Sequence, residues 1–165
     1  MKRFMLLIIL FSIKTCLIGQ VKQPNRPKIE FHSGFYLATI DSSKKHGLKL
    51  ENSEKFYVIN STNYLSLQCV DTVFYKYNSN FKGYLFSIKF NTEGSKKLLD
   101  FTLKNQKKDI ALLIDNKLCF VANIFEPMYN GGMDLASNFD MAKMEKIQFS
   151  ITKEIKSRHR LKKPK

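Results

Sequence analysis

The alternation of apolar and polar positions divides the chain into short strands and two helices. Apolar or alternating runs bounded by polar turns are typical of strands. The runs that meet this description cover residues 35–40, 48–50, 55–59, 69–77, 84–90, 109–114 and 118–124. Asp115, Asn116 and Lys117 separate the last two runs and indicate a tight hairpin. Residues 63–67 are predicted to form a short helical segment or a turn.

Two segments carry the signals of helices. Asn91 or Thr92 can cap a helix that ends near Asn105. A second helix is predicted to follow an Asn138 cap. Apolar residues recur in it every three or four positions and lie on one face, as in a helix that packs on a sheet: Met141, Met144, Ile147, Ile151 and Ile155. The pattern predicts an α+β fold, a single small domain with a mostly antiparallel or mixed sheet and two main helices on one face.

The first nineteen residues have the pattern of a signal peptide. A cationic start precedes the apolar run 4–13, which is about half of the ~20 residues that span a bilayer. Cleavage after Gly19 leaves Gln20 as the first mature residue, so we expect an exported protein of the periplasm or cell envelope. An uncleaved N-terminal anchor and a lipid anchor on Cys16 stay open as alternatives.

Charge separates a basic tail from the rest of the chain. The 165 residues include 28 Lys and Arg against 14 Asp and Glu, a net charge of +14. Outside the leader, more than half of the net positive charge lies after residue 152. Such a tail can bind anionic lipid or glycan. Nucleic acid is not expected as a partner, because Arg, which base and phosphate recognition favours, is rare here.

Composition and charge together divide the chain into four consecutive segments. A signal peptide (1–19) is followed by an extended lead-in (20–34) that contains two prolines. The folded domain covers residues 35–155, and the basic tail covers residues 156–165. The sequence does not predict an oligomeric state.

No catalytic, metal or cofactor constellation is recognisable. The chain has no CxxC pair, no G-x-S-x-G elbow and no glycine-rich phosphate loop. We therefore expect a non-enzymatic protein without a cofactor. Cys69 and Cys119 remain after cleavage, and in an exported protein they are candidates for a disulfide. Two separately buried thiols are the alternative.

Two blocks in the second half of the chain resemble a known family. In residues 90–102 a strand ends, a short turn follows and a helix begins; residues 109–118 form the predicted hairpin. The positions that carry the resemblance are Thr92, Glu93, Gly94, Asp115, Asn116, Pro127, Gly131 and Gly132. Their order and spacing resemble the head subdomain of the first periplasmic domain of the SecD/SecDF protein-export family. Asn116 stands where that family usually has Gly, and Asn also adopts positive φ.

The resemblance implies contact with polypeptides that emerge into the periplasm, or with an envelope partner protein, through surface and edge-strand contacts. The transmembrane helices and base subdomain of full family members are absent from the chain, so proton-driven movement is not implied. An exposed aromatic surface at Phe74, Tyr75 and Tyr77 is a hypothesis for holding an unfolded chain. The alternative function is an envelope-surface binder whose basic tail holds anionic lipid or glycan. Salt weakens tail binding more than apolar contact, which distinguishes the two.

Overall fold

The computed structural model describes residues 30–80, 82–137 and 139–161, and the side chains of these residues up to position 157. The predicted signal peptide, Cys16 and most of the lead-in lie outside the described residues. So do Asn138 and the last four residues of the predicted tail.

Eight strands of the described residues form two antiparallel sheets. The larger sheet contains β1 (Gly34–Ile40), β2 (Leu48–Lys49), β3 (Phe56–Ser66), β6 (Asp109–Ile114) and β7 (Lys117–Asn123), in the spatial order β2-β3-β1-β6-β7. The smaller sheet contains β4 (Val70–Asn78), β5 (Gly83–Phe90) and β8 (Gly132–Ser137), in the order β4-β5-β8.

Two α-helices and one 3₁₀ turn complete the fold. Helix α1 is Thr92–Lys104, helix α2 is Met141–Leu161, and the 3₁₀ turn is Leu67–Cys69. The predicted α+β class is therefore confirmed, with antiparallel pairing and two main helices. The strands are divided between two sheets instead of forming one, a separation that depends on long-range pairing.

The main core brings together apolar side chains from both sheets and both helices. Four of the five predicted stripe residues of α2 lie in it: Met144, Ile147, Ile151 and Ile155. The fifth prediction is wrong, because Met141 is 55% exposed at the first helical position. The cap of α2 is Asp140, whose carboxylate accepts the Lys143 N–H at 2.8 Å.

A second, smaller core covers the other face of the larger sheet. It contains Tyr36, Ala38, Tyr57, Ala111, Leu113 and Leu118. Phe31, from the end of the lead-in, packs edge-on against Tyr36 with ring centroids 5.7 Å apart. The Phe31 N–H donates to Asn116 Oδ1 at 2.6 Å, so the hairpin turn holds the lead-in in place.

One local prediction is wrong. Residues 63–66 belong to β3 instead of a helical segment or turn, because β3 continues to pair with β1 beyond a bulge at Tyr36/Leu37. One strand lies where none was predicted, since β8 begins at Gly132. Its side chains alternate between buried and exposed, as in a half-buried strand.

Candidate functional site

Among the described residues outside α2, the most exposed aromatic side chains lie in the connection between β7 and β8. Phe125 is 83% exposed and Tyr129 is 71% exposed. Residues 124–131, which we call the aromatic loop, also contain the half-buried Pro127. Scattered apolar side chains are normal on a protein surface, but two neighbouring aromatic rings left in water are typical of a binding surface.

Hydrogen bonds hold the aromatic loop at both ends and in the middle. The Ile124 N–H donates to the Lys108 carbonyl at 2.9 Å, and the Ile124 carbonyl accepts from the Lys107 N–H at 2.7 Å. In the middle, the Met128 N–H donates to Thr102 Oγ1 at 3.0 Å. At the far end, the Gly131 carbonyl accepts the Phe90 N–H at 2.8 Å. The backbone is thus fixed before any partner arrives, which lowers the entropic cost of binding.

Thr102 links helix α1 to the aromatic loop. The side chain is fully buried. Its hydroxyl donates to the Leu98 carbonyl at 2.8 Å, one helical turn earlier, and is therefore left with a lone pair for the Met128 N–H. A buried polar group with both its donor and its acceptor in use adds specificity as well as stability.

Gly131 is a position where the aromatic loop requires glycine. Its φ is +65°, and a Cβ there would lie 3.1 Å from the Ser95 Cβ and closer still to Ser95 Oγ. Backbone strain and steric conflict therefore both favour glycine at this position. Gly132 follows as the first residue of β8. Three predicted family positions, Pro127, Gly131 and Gly132, thus belong to the aromatic loop and the strand that it leads into.

Strand β8 is an edge of the smaller sheet. Its residues pair with β5 on one side only, and no other strand in the described part of the chain pairs with it. In an antiparallel pair, opposite residues that are joined by main-chain hydrogen bonds alternate with opposite residues that are not. Since Phe90 and Gly131 are joined in this way, the β8 residues that form bonded pairs with β5 are Met133, Leu135 and Ser137. The backbone N–H and C=O groups of Gly132, Asp134 and Ala136 consequently point away from β5, towards the open edge.

The other edge of this sheet is protected. By the same alternation, the Val73 carbonyl of β4 points outward, and it accepts a hydrogen bond from Gln148 Nε2 of α2 at 3.0 Å. Helix α2 therefore covers β4, whereas no described residue gives β8 a comparable cover. Open edges are templates for pairing with another chain.

Two shallow depressions border β8. One has a volume of about 440 Å³, and its lining includes Phe125, Tyr129 and Asp134. The other has a volume of about 360 Å³, and its lining includes Phe74 and Lys76 on the outer face of the sheet. Asn130, Gly132, Met133 and Asp134 line both. We call this continuous surface the β8 groove.

The aromatic run of β4 is divided between the two faces of the smaller sheet. Phe74 is 38% exposed and lies in the β8 groove. Tyr75 faces the opposite side, where its ring meets Tyr84 at 5.7 Å and its hydroxyl lies 3.4 Å from Glu145 of α2. Tyr77 is 59% exposed and contacts Tyr84 at 5.5 Å. The segment is not buried on both faces, but only Phe74 contributes to the groove.

The family positions at the start of α1 have a structural role. Asn91 Oδ1 accepts the Gly94 N–H at 2.8 Å, which is the predicted helix cap. Thr92 begins the helix, and Glu93 in its first turn pairs with Lys97 at 2.6 Å. Gly94 packs directly against Cys69, because a Cβ on Gly94 would lie 2.8 Å from the Cys69 Cβ and closer still to the Cys69 carbonyl oxygen.

The family positions in the hairpin turn, Asp115 and Asn116, both have positive φ, at 48° and 63°. This agrees with the prediction that Asn can replace Gly there. The Asp115 N–H donates to Ser33 Oγ at 3.3 Å, which adds a second link to the lead-in.

Cys69 and Cys119 are not joined to each other by a disulfide. Cys69 is half-buried beside Gly94, and Cys119 is buried in β7. Burial, reinforced by the nearby Glu51 carboxylate, raises the pKa of Cys119 to about 12. This thiol therefore stays protonated and is a poor nucleophile. Within the described ranges, no three His, Cys, Asp or Glu side chains are grouped to hold a metal ion.

Residues 43–153 match the family model of the SecDF P1 head subdomain. The chain belongs to this family. The crystal structure of SecDF in a super-membrane-facing form is similar to the chain with a TM-score of 0.53, at 13% identity over 72% of the chain. A structure of SecDF described as a membrane component that enhances protein export is similar with a TM-score of 0.55, at 12% identity over 73% of the chain. No curated protein matches the sequence.

Membership of the SecDF P1 head family confirms the predicted resemblance. The chain spans 18% of the first SecDF structure and 62% of the second, and such low identities show the fold alone. No helix in the described parts of this P1 head is long and apolar enough to cross a membrane.

Sequence reasoning missed Phe125, Tyr129 and the open edge of β8. One signal was available, because two aromatic residues beside Pro127 in a loop that ends at a pair of glycines are placed at the surface by the loop itself. The open edge carried no such signal, since β8 itself was not predicted.

Proposed function

We propose that this SecDF P1 head is a non-enzymatic module of the cell envelope that binds extended segments of polypeptides during protein export. The observation that carries the proposal is the unpaired edge of β8 beside the fixed aromatic loop. An extended peptide can add itself to such an edge as a further strand.

Main-chain hydrogen bonds provide the first part of the binding. Gly132, Asp134 and Ala136 each offer an outward N–H and C=O, and every unfolded polypeptide has the complementary groups. Recognition through the backbone is independent of the partner's sequence. This property suits a module that meets many different exported chains.

Aromatic and charged side chains provide the second part. Phe125 and Tyr129 flank one end of the edge and offer apolar surface to alternate side chains of the bound strand. Lys76 and Asp134 line the groove with opposite charges, so no strongly charged peptide class is favoured. A contact of this limited size gives a weak and reversible complex, with a dissociation constant on the order of 10 μM.

The proposal is tested by fluorescence anisotropy with a labelled, unfolded secretory polypeptide and the purified protein. Ala136→Pro removes one outward N–H while leaving the bonded pairs with β5 intact, and proline is tolerated on the outer side of an edge strand. Phe125→Ala and Tyr129→Ala remove the flanking rings.

We expect each of these three variants to weaken binding several-fold, with little change at high salt. Phe149→Ala is the matched control, since Phe149 is equally exposed but lies on α2. Melting temperatures close to that of the parent protein establish that the variants are folded. Unchanged affinity in all three groove variants contradicts the proposal, and so does equal weakening by the control.

A further inference from the structure

Helix α2 has an outer face of unusual composition. Its core-facing residues Met144, Ile147, Ile151 and Ile155 are all buried. Lys146, Phe149, Lys153 and Lys156 are all exposed, and Phe149 is 71% exposed. We call these four residues the α2 basic face.

The spacing places these four residues in one stripe. They follow one another at intervals of three, four and three residues, which keeps them on one side of a helix over about 15 Å. At about 100° per residue, the centre of this stripe lies roughly 180° from the centre of the buried stripe. The α2 basic face therefore points directly away from the core.

No acidic side chain belongs to this stripe. Glu145 lies at its margin, where its carboxylate is 3.4 Å from the Tyr75 hydroxyl. Glu154 lies on the other flank and is half-buried. The four ion pairs among the described side chains use Lys49, Lys97, Lys104 and Lys143, none of which belongs to the α2 basic face. Three positive charges therefore surround one exposed ring.

We propose that the α2 basic face docks the protein on a membrane surface that contains anionic lipid. Lysine ammonium groups are attracted to anionic headgroups, while an aromatic ring gains by entering the interface between headgroups and acyl chains. Long lysine side chains can keep their charge at the headgroups while the ring goes deeper. The lysines and the ring therefore both favour a bilayer that contains anionic lipid.

The central ring argues for a bilayer over a soluble polyanion, which would attract the lysines but leave Phe149 in water. The docking surface is separate from the β8 groove. Tyr75, on the α2 side of the smaller sheet, and Phe74, on the groove side, are adjacent residues of β4 that face opposite ways. Docking through α2 thus leaves the groove accessible to a polypeptide.

The test is the binding of the purified protein to phosphatidylcholine vesicles with and without phosphatidylglycerol, measured by co-sedimentation. We expect binding to the anionic vesicles only. Replacing Lys146, Lys153 and Lys156 together by Gln lowers the partition coefficient about a hundredfold, because each lysine contributes about a factor of five near an anionic surface. The control replaces the exposed Lys55, Lys96 and Lys108 by Gln, which changes the net charge equally and is expected to have an effect of less than about tenfold.

Phe149→Ala separates a bilayer from a soluble polyanion. It is expected to lower the partition into anionic vesicles about fivefold and to leave binding to soluble polyphosphate unchanged. If the α2 triple variant and the control triple variant lose the same amount of vesicle binding, net charge alone attracts the protein and the proposal is overturned. The proposal is also overturned if vesicle binding depends on the tail. In that case binding persists in Phe149→Ala and in the variant with Gln at positions 146, 153 and 156, but is lost when residues 158–165 are deleted. None of these outcomes depends on whether the β8 groove binds polypeptides.

Discussion

Gly94 is the family position whose role the structure defines most sharply. In an ordinary helix, Gly→Ala stabilises by about 1 kcal/mol, because alanine has the higher helix propensity. Here we expect the opposite. A Cβ on residue 94 would lie 2.8 Å from the Cys69 Cβ, whereas carbon atoms in contact are separated by about 3.5–4.0 Å.

The magnitude follows from what must move. Helix α1 and the 3₁₀ turn have to separate by about 1 Å, and such overpacking costs about 1–3 kcal/mol. The same movement stretches the hydrogen bond from the Asn91 N–H to the Cys69 carbonyl, now 2.9 Å long, and weakening it costs up to about 1 kcal/mol. After subtraction of the propensity gain of about 1 kcal/mol, Gly94→Ala should lower the free energy of unfolding by about 1.5 kcal/mol, and by about 3 kcal/mol at most.

Urea denaturation followed by circular dichroism measures this difference. Lys96→Ala, at an exposed position two residues later in the same helix, is the matched control and should change the stability by less than about 0.5 kcal/mol. If Gly94→Ala is as stable as the parent protein, or more stable, the close approach of α1 to Cys69 does not determine the residue at this position.

Three further predictions concern individual polar contacts. Lys143→Met leaves the mostly buried Glu51 carboxylate without its ion-pair partner, and we expect a loss of about 2 kcal/mol in urea denaturation, part of which Glu51→Gln restores in the double variant. Hydrogen bonds from Ser43, His46 and Gly47 hold the pKa of Asp41 far below its usual value. Because folding lowers this pKa, the stabilisation is complete above the ordinary Asp pKa and is lost as the pH falls below it. Asp41→Asn should therefore flatten the acid limb of the stability–pH curve; an unchanged limb contradicts this. Asn116→Gly keeps the turn but removes the acceptor of the Phe31 N–H, so hydrogen exchange at that amide should accelerate about tenfold without a large change in global stability.

Local signals in the sequence predicted the elements that depend on local chemistry. The cap at Asn91, the turn at Asp115 and Asn116, and the four buried stripe residues of α2 are each set by neighbours a few positions away. Helix α2 also continues to Leu161, so the first residues of the predicted basic tail are helical.

The features that the sequence did not predict depend on contacts between distant residues. The division into two sheets follows from the pairing of β8 with β5, more than forty positions apart in the chain. The placement of the aromatic loop depends on the hydrogen bond from Met128 to Thr102, which joins residues 26 positions apart. The loop sequence indicates that Phe125 and Tyr129 lie at the surface, but their position beside β8 depends on that long-range hydrogen bond.

Amide hydrogen exchange of β8, with and without an unfolded polypeptide, tests the central claim most directly. Met133, Leu135 and Ser137 form the bonded pairs with β5, so the bound strand should leave their exchange rates nearly unchanged. Gly132, Asp134 and Ala136 point their N–H groups at the open edge, and strand addition should slow their exchange specifically. Slower exchange at these three amides is the predicted result. Unchanged rates there, under conditions where the polypeptide is bound, would show that binding does not use the β8 edge.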